Sequence, residues 1–193
     1  MARKRIHVRT VVVEVYDEGD GTITIEGRLE DQQPLDSGYF KAKRRTNDPR
    51  PPGVLHGMSA RVRVDQKTSK ILTTDGEFPS KPYQGCAAML PWLAKLDGLK
   101  ITTGYSQNAK ERLGGPNGCA HMNTLLQLMA NTRSASSAYY LSTDWAFEMW
   151  QKHGANAAES YDHPALNSCH MWREDGPLMA ALDQGKSPLE LDL

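Results

Sequence analysis

Cysteine is scarce in this chain: there are three in 193 residues, widely separated and with no Cys-x₂₋₄-Cys pair. An odd, scattered set excludes a disulfide framework and the usual zinc knuckle, and it fits a reducing cytoplasm. Long apolar runs are missing too. None approaches the roughly 20 residues that span a bilayer. The charged N-terminus is not followed by the hydrophobic stretch of a secretory signal. Charge of one sign is also absent: Lys plus Arg and Asp plus Glu each number 23, so the formal net charge is zero. No bulk field is available to hold nucleic acid or an anionic membrane. The local clusters Arg3–Arg5 and Lys41-Ala42-Lys43-Arg44-Arg45 are read as solvated faces or anion contacts. Internal repeats are absent as well.

What is present is a chain long enough to bury a core, with 39% apolar and 24% charged residues. Residues 6–16 are rich in β-branched types, and residues 22–31 alternate polar with apolar. The Asp17-Glu18-Gly19-Asp20-Gly21 turn between them predicts an antiparallel hairpin. Residues 32–53 carry Pro, Arg and Asp and read as a long loop. Residues 54–64 and 71–77 alternate again around a polar turn and predict a second hairpin. From Tyr83 the pattern changes. Cys86 to Leu96 predicts a short helical region ending at Gly98, and Leu99-Lys100-Ile101 a fifth short strand. Asn108 to Leu113 predicts a turn or two of helix. Met122, Leu125, Leu126 and Met129 fall at helical spacing and predict an amphipathic helix over 120–132. Residues 137–152, with Tyr139, Tyr140, Trp145, Phe147 and Trp150, predict another, and 177–182 a short one.

Strands first and helices later predict one α+β domain over 1–193. A curved antiparallel sheet from 6–77 packs against helices from 86–152, and the tail from 153 wraps back. Such a sheet leaves a cone-shaped pocket, a usual place for a small ligand.

Several segments resemble a bacterial family known as domain of unknown function 2889. They are Thr24–Leu29, His56–Asp65, Leu96–Tyr105, Leu113–Met122, Leu125–Ala130 and Ser168–Trp172. Leu113–Met122 is the most specific of these. Where the family usually has Asp after the His of the second segment, this chain has Gly57. The resemblance implies a bacterial cytoplasmic domain and supplies no reaction.

The chemistry concentrates in Leu113-Gly114-Gly115-Pro116-Asn117-Gly118-Cys119-Ala120-His121-Met122. As a phosphate loop it is poor, because no Gly-Lys-Ser/Thr follows and Pro116 removes an amide donor. Three readings stand. The first is a zinc or iron site. It would draw on Cys119, His121, Cys169 and His170, with Cys86 and His56 as further candidates. The second is metal-free acid–base or nucleophilic chemistry. Cys119 sits where a helix N-terminus favours thiolate, and an imidazole titrating near neutrality suits proton transfer. The third is structural: buried thiols behave as small hydrophobes.

The second reading is the working expectation. The protein is then a small-molecule catabolic enzyme, a cofactor-free lyase of elimination or retro-aldol type or a hydrolase, acting on an aromatic or acyl compound. His121, Cys119, His56, Tyr105 and Arg61 would act on the substrate. Arg63, Tyr39, Tyr83 and His170 would bind it. The alternative is a non-catalytic ligand- or metal-binding accessory protein. The expected partner is a small molecule, with a homodimer open and neither nucleic acid nor membrane involved.

Overall fold

The computed structural model describes residues 2–43, 52–102, 104–136, 139, 167, 169–184 and 186. Its contacts divide the chain into two compact units, Met1–Arg133 and Ser134–Leu193.

In the first unit, β1 (Val8–Asp17), β2 (Thr22–Gln32), β3 (Val54–Asp65) and β4 (Ile71–Ser80) form an open antiparallel sheet. Its spatial order is β1-β2-β3-β4, so every neighbour in sequence is a neighbour in space. Both expected hairpins are present, and the fold is α+β. Period-2 alternation sets the two faces. Val11, Val13 and Val15 of β1, Ile23, Ile25 and Leu29 of β2, and Met58, Ala60, Val62 and Val64 of β3 point to the core. The other face carries charge. Glu26, Arg61 and Asp75 are cross-strand neighbours there, and Arg61 pairs with Glu26 at 2.9 Å.

The core face is covered by a 3₁₀ segment (Gln84–Leu96), α2 (Tyr105–Leu113) and α3 (Ala120–Ser136). Their Met89, Leu93, Leu96, Ala109, Leu113, Met122, Leu125, Leu126 and Met129 share the buried cluster with the strands. Pro91 lies inside the 3₁₀ segment. It has no amide hydrogen to give an α-helical ladder and its ring would strike the preceding turn. The expected fifth strand reduces to one bridge, Lys70 with Lys100.

The expected loop over 32–53 is interrupted by a short helix, α1 (Gly38–Lys43). Ser37 caps it: the Phe40 amide donates to Ser37 Oγ at 3.4 Å, and the Phe40 ring is buried. A Ser before a short apolar pair is a helix-start signal that the surrounding Pro and Asp residues masked.

In the second unit, α4 (Pro177–Asp183) starts on its proline and buries Met179 and Ala181. Proline suits a first helical position, where its missing amide hydrogen costs nothing. The helix expected over 137–152 lies outside the described residues apart from Tyr139, which is exposed. Among the described residues no helix is long and apolar enough to cross a membrane.

Candidate functional site

The core-facing row of the sheet does not stay apolar to its end. Continuing the inward phase of β1 from Val15, Val13 and Val11 leads to Arg9 and then His7. On β2 the same phase passes Leu29 to Asp31, and on β3 it passes Met58 to His56. Register places Arg9 opposite Asp31 and Asp31 opposite His56. Three strands therefore deliver four polar side chains to one end of the core. The β2–β3 register shifts between Asp31 and Gln32, the kind of irregularity that re-aims a side chain at a sheet's end.

Asp31 is the hub, with 1% of its side chain exposed. The Arg9 guanidinium grips it side-on, Nε to Oδ1 at 2.7 Å and Nη2 to Oδ2 at 2.8 Å. His7 Nε2 lies 3.2 Å from Oδ1, and His56 Nδ1 lies 3.0 Å from Oδ2. These contacts occupy about four acceptor positions, the full capacity of a carboxylate. Burial pushes the Asp31 carboxyl up. The Arg9 hydrogen bonds and charge, helped by His7 and His56, outweigh that and hold it at about 2.

The fourth side of the site comes from α3. Cys119 caps this helix by accepting the Asn123 amide on its carbonyl at 2.9 Å. His121 then falls in the first turn, with Nε2 3.7 Å from Asp31 Oδ2. Its ring stacks on that of His56, with centroids 4.0 Å apart and planes inclined by 30°. Its Nδ1 faces Cys119 Sγ at 3.9 Å. The glycines before Cys119 make the tight approach to the helix possible. A Cβ on Gly118 would strike the Leu113 carbonyl, so no larger residue fits that turn.

Burial lowers the His56 pKa below the usual imidazole value. Asp31 opposes the shift, while the charges of Arg9 and His7 add to it. His121 is lowered by burial, then by His56 and Arg9, again against Asp31. At neutral pH the site thus presents one ionised carboxylate and two neutral imidazoles. Both rings keep some contact with solvent, with 18% of the His56 side chain and 31% of the His121 side chain exposed.

Of the residues expected from sequence, His56, Cys119 and His121 are brought together. Arg61 and Arg63 lie on the opposite face of the sheet, held by Glu26 and Asp20. Tyr105 is packed in the hydrophobic core, and burial raises its phenol to about 12. Tyr39 lies edge-on to Phe40 with its hydroxyl 3.5 Å from the Pro82 carbonyl, and Tyr83 is exposed. Cys86 is half-buried in the 3₁₀ segment. Cys169 and His170 belong to the second unit, where the His170 carbonyl accepts from Arg173 at 2.8 Å. Asp31, Arg9 and His7 are the members that sequence reasoning missed. Their signal was phase: each is a charged or polar residue in step with inward-facing Val, Ile and Leu.

The fold and this cluster define an α+β domain with an anchored carboxylate and imidazoles gathered at one end of its sheet. The chain belongs to the family described as a protein of unknown function (DUF2889), whose model matches residues 7–134. No curated protein and no solved structure matches it.

Proposed function

We propose that the protein is a small-molecule enzyme of lyase or hydrolase type, with Asp31, His56 and His121 as its reaction centre. Its substrate is an aromatic or acyl compound. The observation that carries this reading is the pair of imidazoles stacked 4.0 Å apart against one buried carboxylate. A core-facing position at a sheet's end is an expensive place for an ionised group unless it is fully hydrogen-bonded. Here Arg9 and His7 meet that need from one side, while the other side of Asp31 faces two imidazoles. Both elimination and acyl hydrolysis require a group that moves a proton and a positive environment for the developing oxyanion. His121, the more exposed imidazole of the pair, is the residue that meets the substrate. His56 and Asp31 position it, and the Arg9 guanidinium supplies fixed positive charge beside them.

The test is turnover on a panel of aromatic β-hydroxy carbonyl compounds and aryl or acyl esters. For any compound turned over, His121→Ala is expected to lower kcat at least 100-fold, the usual range for a proton-transfer group. Arg63→Ala, on the opposite face, leaves it unchanged. Equal turnover by wild type and His121→Ala would remove this cluster from the chemistry.

A further inference from the structure

The two imidazoles and the carboxylate do more than share a hydrogen-bond network. Asp31, His56 and His121 each offer one ligand atom, and these atoms all lie within 4.8 Å of one another. We propose that they bind one divalent transition metal, zinc or ferrous iron, through Asp31 Oδ2, His56 Nδ1 and His121 Nε2. The proposal rests on the same site as the enzymatic reading and names the cofactor that the site would use; with a metal in place His121 would be a ligand, and a metal-bound water would take over the proton transfer assigned to it above.

Three features of the site carry it, and one cost is set against them. The first is spacing. A metal about 2.0–2.2 Å from N and O ligands holds them roughly 3.0–3.5 Å apart. The Asp31–His56 and Asp31–His121 pairs already stand at 3.0 and 3.7 Å. The second is donor type: two imidazoles and one carboxylate form the set that leaves open positions for water or substrate on catalytic zinc and on non-heme iron.

The third is orientation. His121 Nδ1 faces Cys119 Sγ at 3.9 Å. With the Cys119 sulfur accepting the Nδ1 hydrogen, Nε2 is the free acceptor of the ring, 3.7 Å from Asp31 Oδ2. A ring whose second nitrogen is fixed by a neighbour is the ordinary arrangement for a metal-bound histidine.

The cost lies at Asp31. Its acceptor positions are filled by Arg9, His7 and His56, so the metal takes the place of the His56–Asp31 hydrogen bond. His56 then carries its hydrogen on Nε2, and Arg9 and His7 remain to hold the carboxylate. Arg9 also opposes a second positive charge nearby, but its side chain is 36% exposed and its field is partly screened by water.

The donor set differs from the one expected from sequence. Cys169 and His170 play no part in it, and Cys119 orients His121 without ligating.

The experiment uses the full chain, stripped with EDTA and titrated anaerobically with cobalt(II) as a spectroscopic probe, then with zinc(II) and iron(II). One equivalent per chain is expected. X-ray absorption at the zinc edge should show a nitrogen and oxygen shell with imidazole scattering and no sulfur. This measurement needs no variant and therefore survives any folding defect. His56→Ala and His121→Ala should each weaken binding at least tenfold, while Cys169→Ser and His170→Ala leave it unchanged. Cys119→Ser should keep the stoichiometry.

Absence of stoichiometric binding, a sulfur shell, or loss of binding only in the Cys169 or His170 variants overturns the proposal. Its fate separates from that of the enzymatic reading. No stoichiometric metal, together with turnover that His121→Ala abolishes, sinks the metal and leaves the enzyme. A bound metal with no turnover of any compound on the panel does the reverse.

Discussion

Asp31 shows how much a single side chain constrains this molecule. It stands in phase with Ile23, Ile25 and Leu29, where an apolar residue would bury without cost, yet it is the hub of the described cluster. Tyr105 makes a contrasting case. Among the sequence candidates it was expected to act on the substrate, but it sits in the core with its phenol held at about 12. Burial alone causes that shift, so it has a direct consequence for stability. An unfolded tyrosine loses its proton near pH 10. Between pH 10 and 12 the unfolded chain therefore binds fewer protons than the folded one, and stability falls as pH rises. Over that window the loss attributable to Tyr105 is roughly 2–3 kcal/mol, following from about two pKa units. Tyr105→Phe should match wild type closely at pH 7 and escape this part of the alkaline loss. Denaturant melts of both proteins at pH 7, 10 and 11.5 measure the difference. Parallel pH curves would show that the phenol ionises as freely when folded as when unfolded.

At the scale of elements, the site depends on how closely α3 lies on the sheet. Gly27 sits in the core-facing row of β2, and a Cβ there would meet Met129 Sδ at 2.5 Å and Leu125 Cδ1 at 2.9 Å. The missing side chain on the strand is thus the space into which the helix packs, and the helix carries His121 to Asp31. Gly27→Ala intrudes only on the flexible ends of Met129 and Leu125, so about 1 kcal/mol of destabilisation is expected, rising to roughly 1–3 kcal/mol for Gly27→Val. Cobalt(II) affinity should fall in the same order, although Gly27 touches no ligand. Met129→Ala in the Gly27→Val background should restore part of both, as coupled neighbours do. Stability loss without any change in metal affinity would show that helix placement does not set the site.

The amphipathic spacing of Met122, Leu125, Leu126 and Met129 and the alternation of β2 and β3 were both legible in the sequence, because each element writes its own period. The close approach at Gly27 and the convergence of Arg9, Asp31, His56 and His121 were not. They depend on register across three strands and on a helix some ninety residues from Asp31, distances over which a single sequence carries no periodic signal. Asp31 itself read as the polar end of a strand, and only the register places it among the imidazoles.

For the molecule as a whole, the division of the chain matters most. The first compact unit ends at Arg133 and the family match at residue 134, so two independent boundaries nearly coincide. The sheet, the 3₁₀ segment, α2 and the main buried cluster lie within that unit. So do His7, Arg9, Asp31, His56, Cys119 and His121. A chain of this size hides close to 70% of its unfolded surface, enough for a stable core. The boundary at Arg133 falls inside α3, which runs to Ser136. Truncation after Ser136 therefore keeps the last helical turn and its hydrogen bonds. The 1–136 fragment is expected to unfold in one cooperative transition, observed as coincident circular dichroism and tryptophan fluorescence curves. It should bind one equivalent of cobalt(II) with an affinity within about threefold of the full chain, a difference below roughly 1 kcal/mol. The fragment retains Trp92, partly exposed on the 3₁₀ segment with Lys95 Nζ 4.7 Å from its ring, so the fluorescence signal reports from that segment. A fragment that melts without cooperativity would show that residues beyond 136 complete the core. A fragment that folds cooperatively but no longer holds the metal would show that they complete the site, and the ligand set of Asp31, His56 and His121 would need a further member from the second unit.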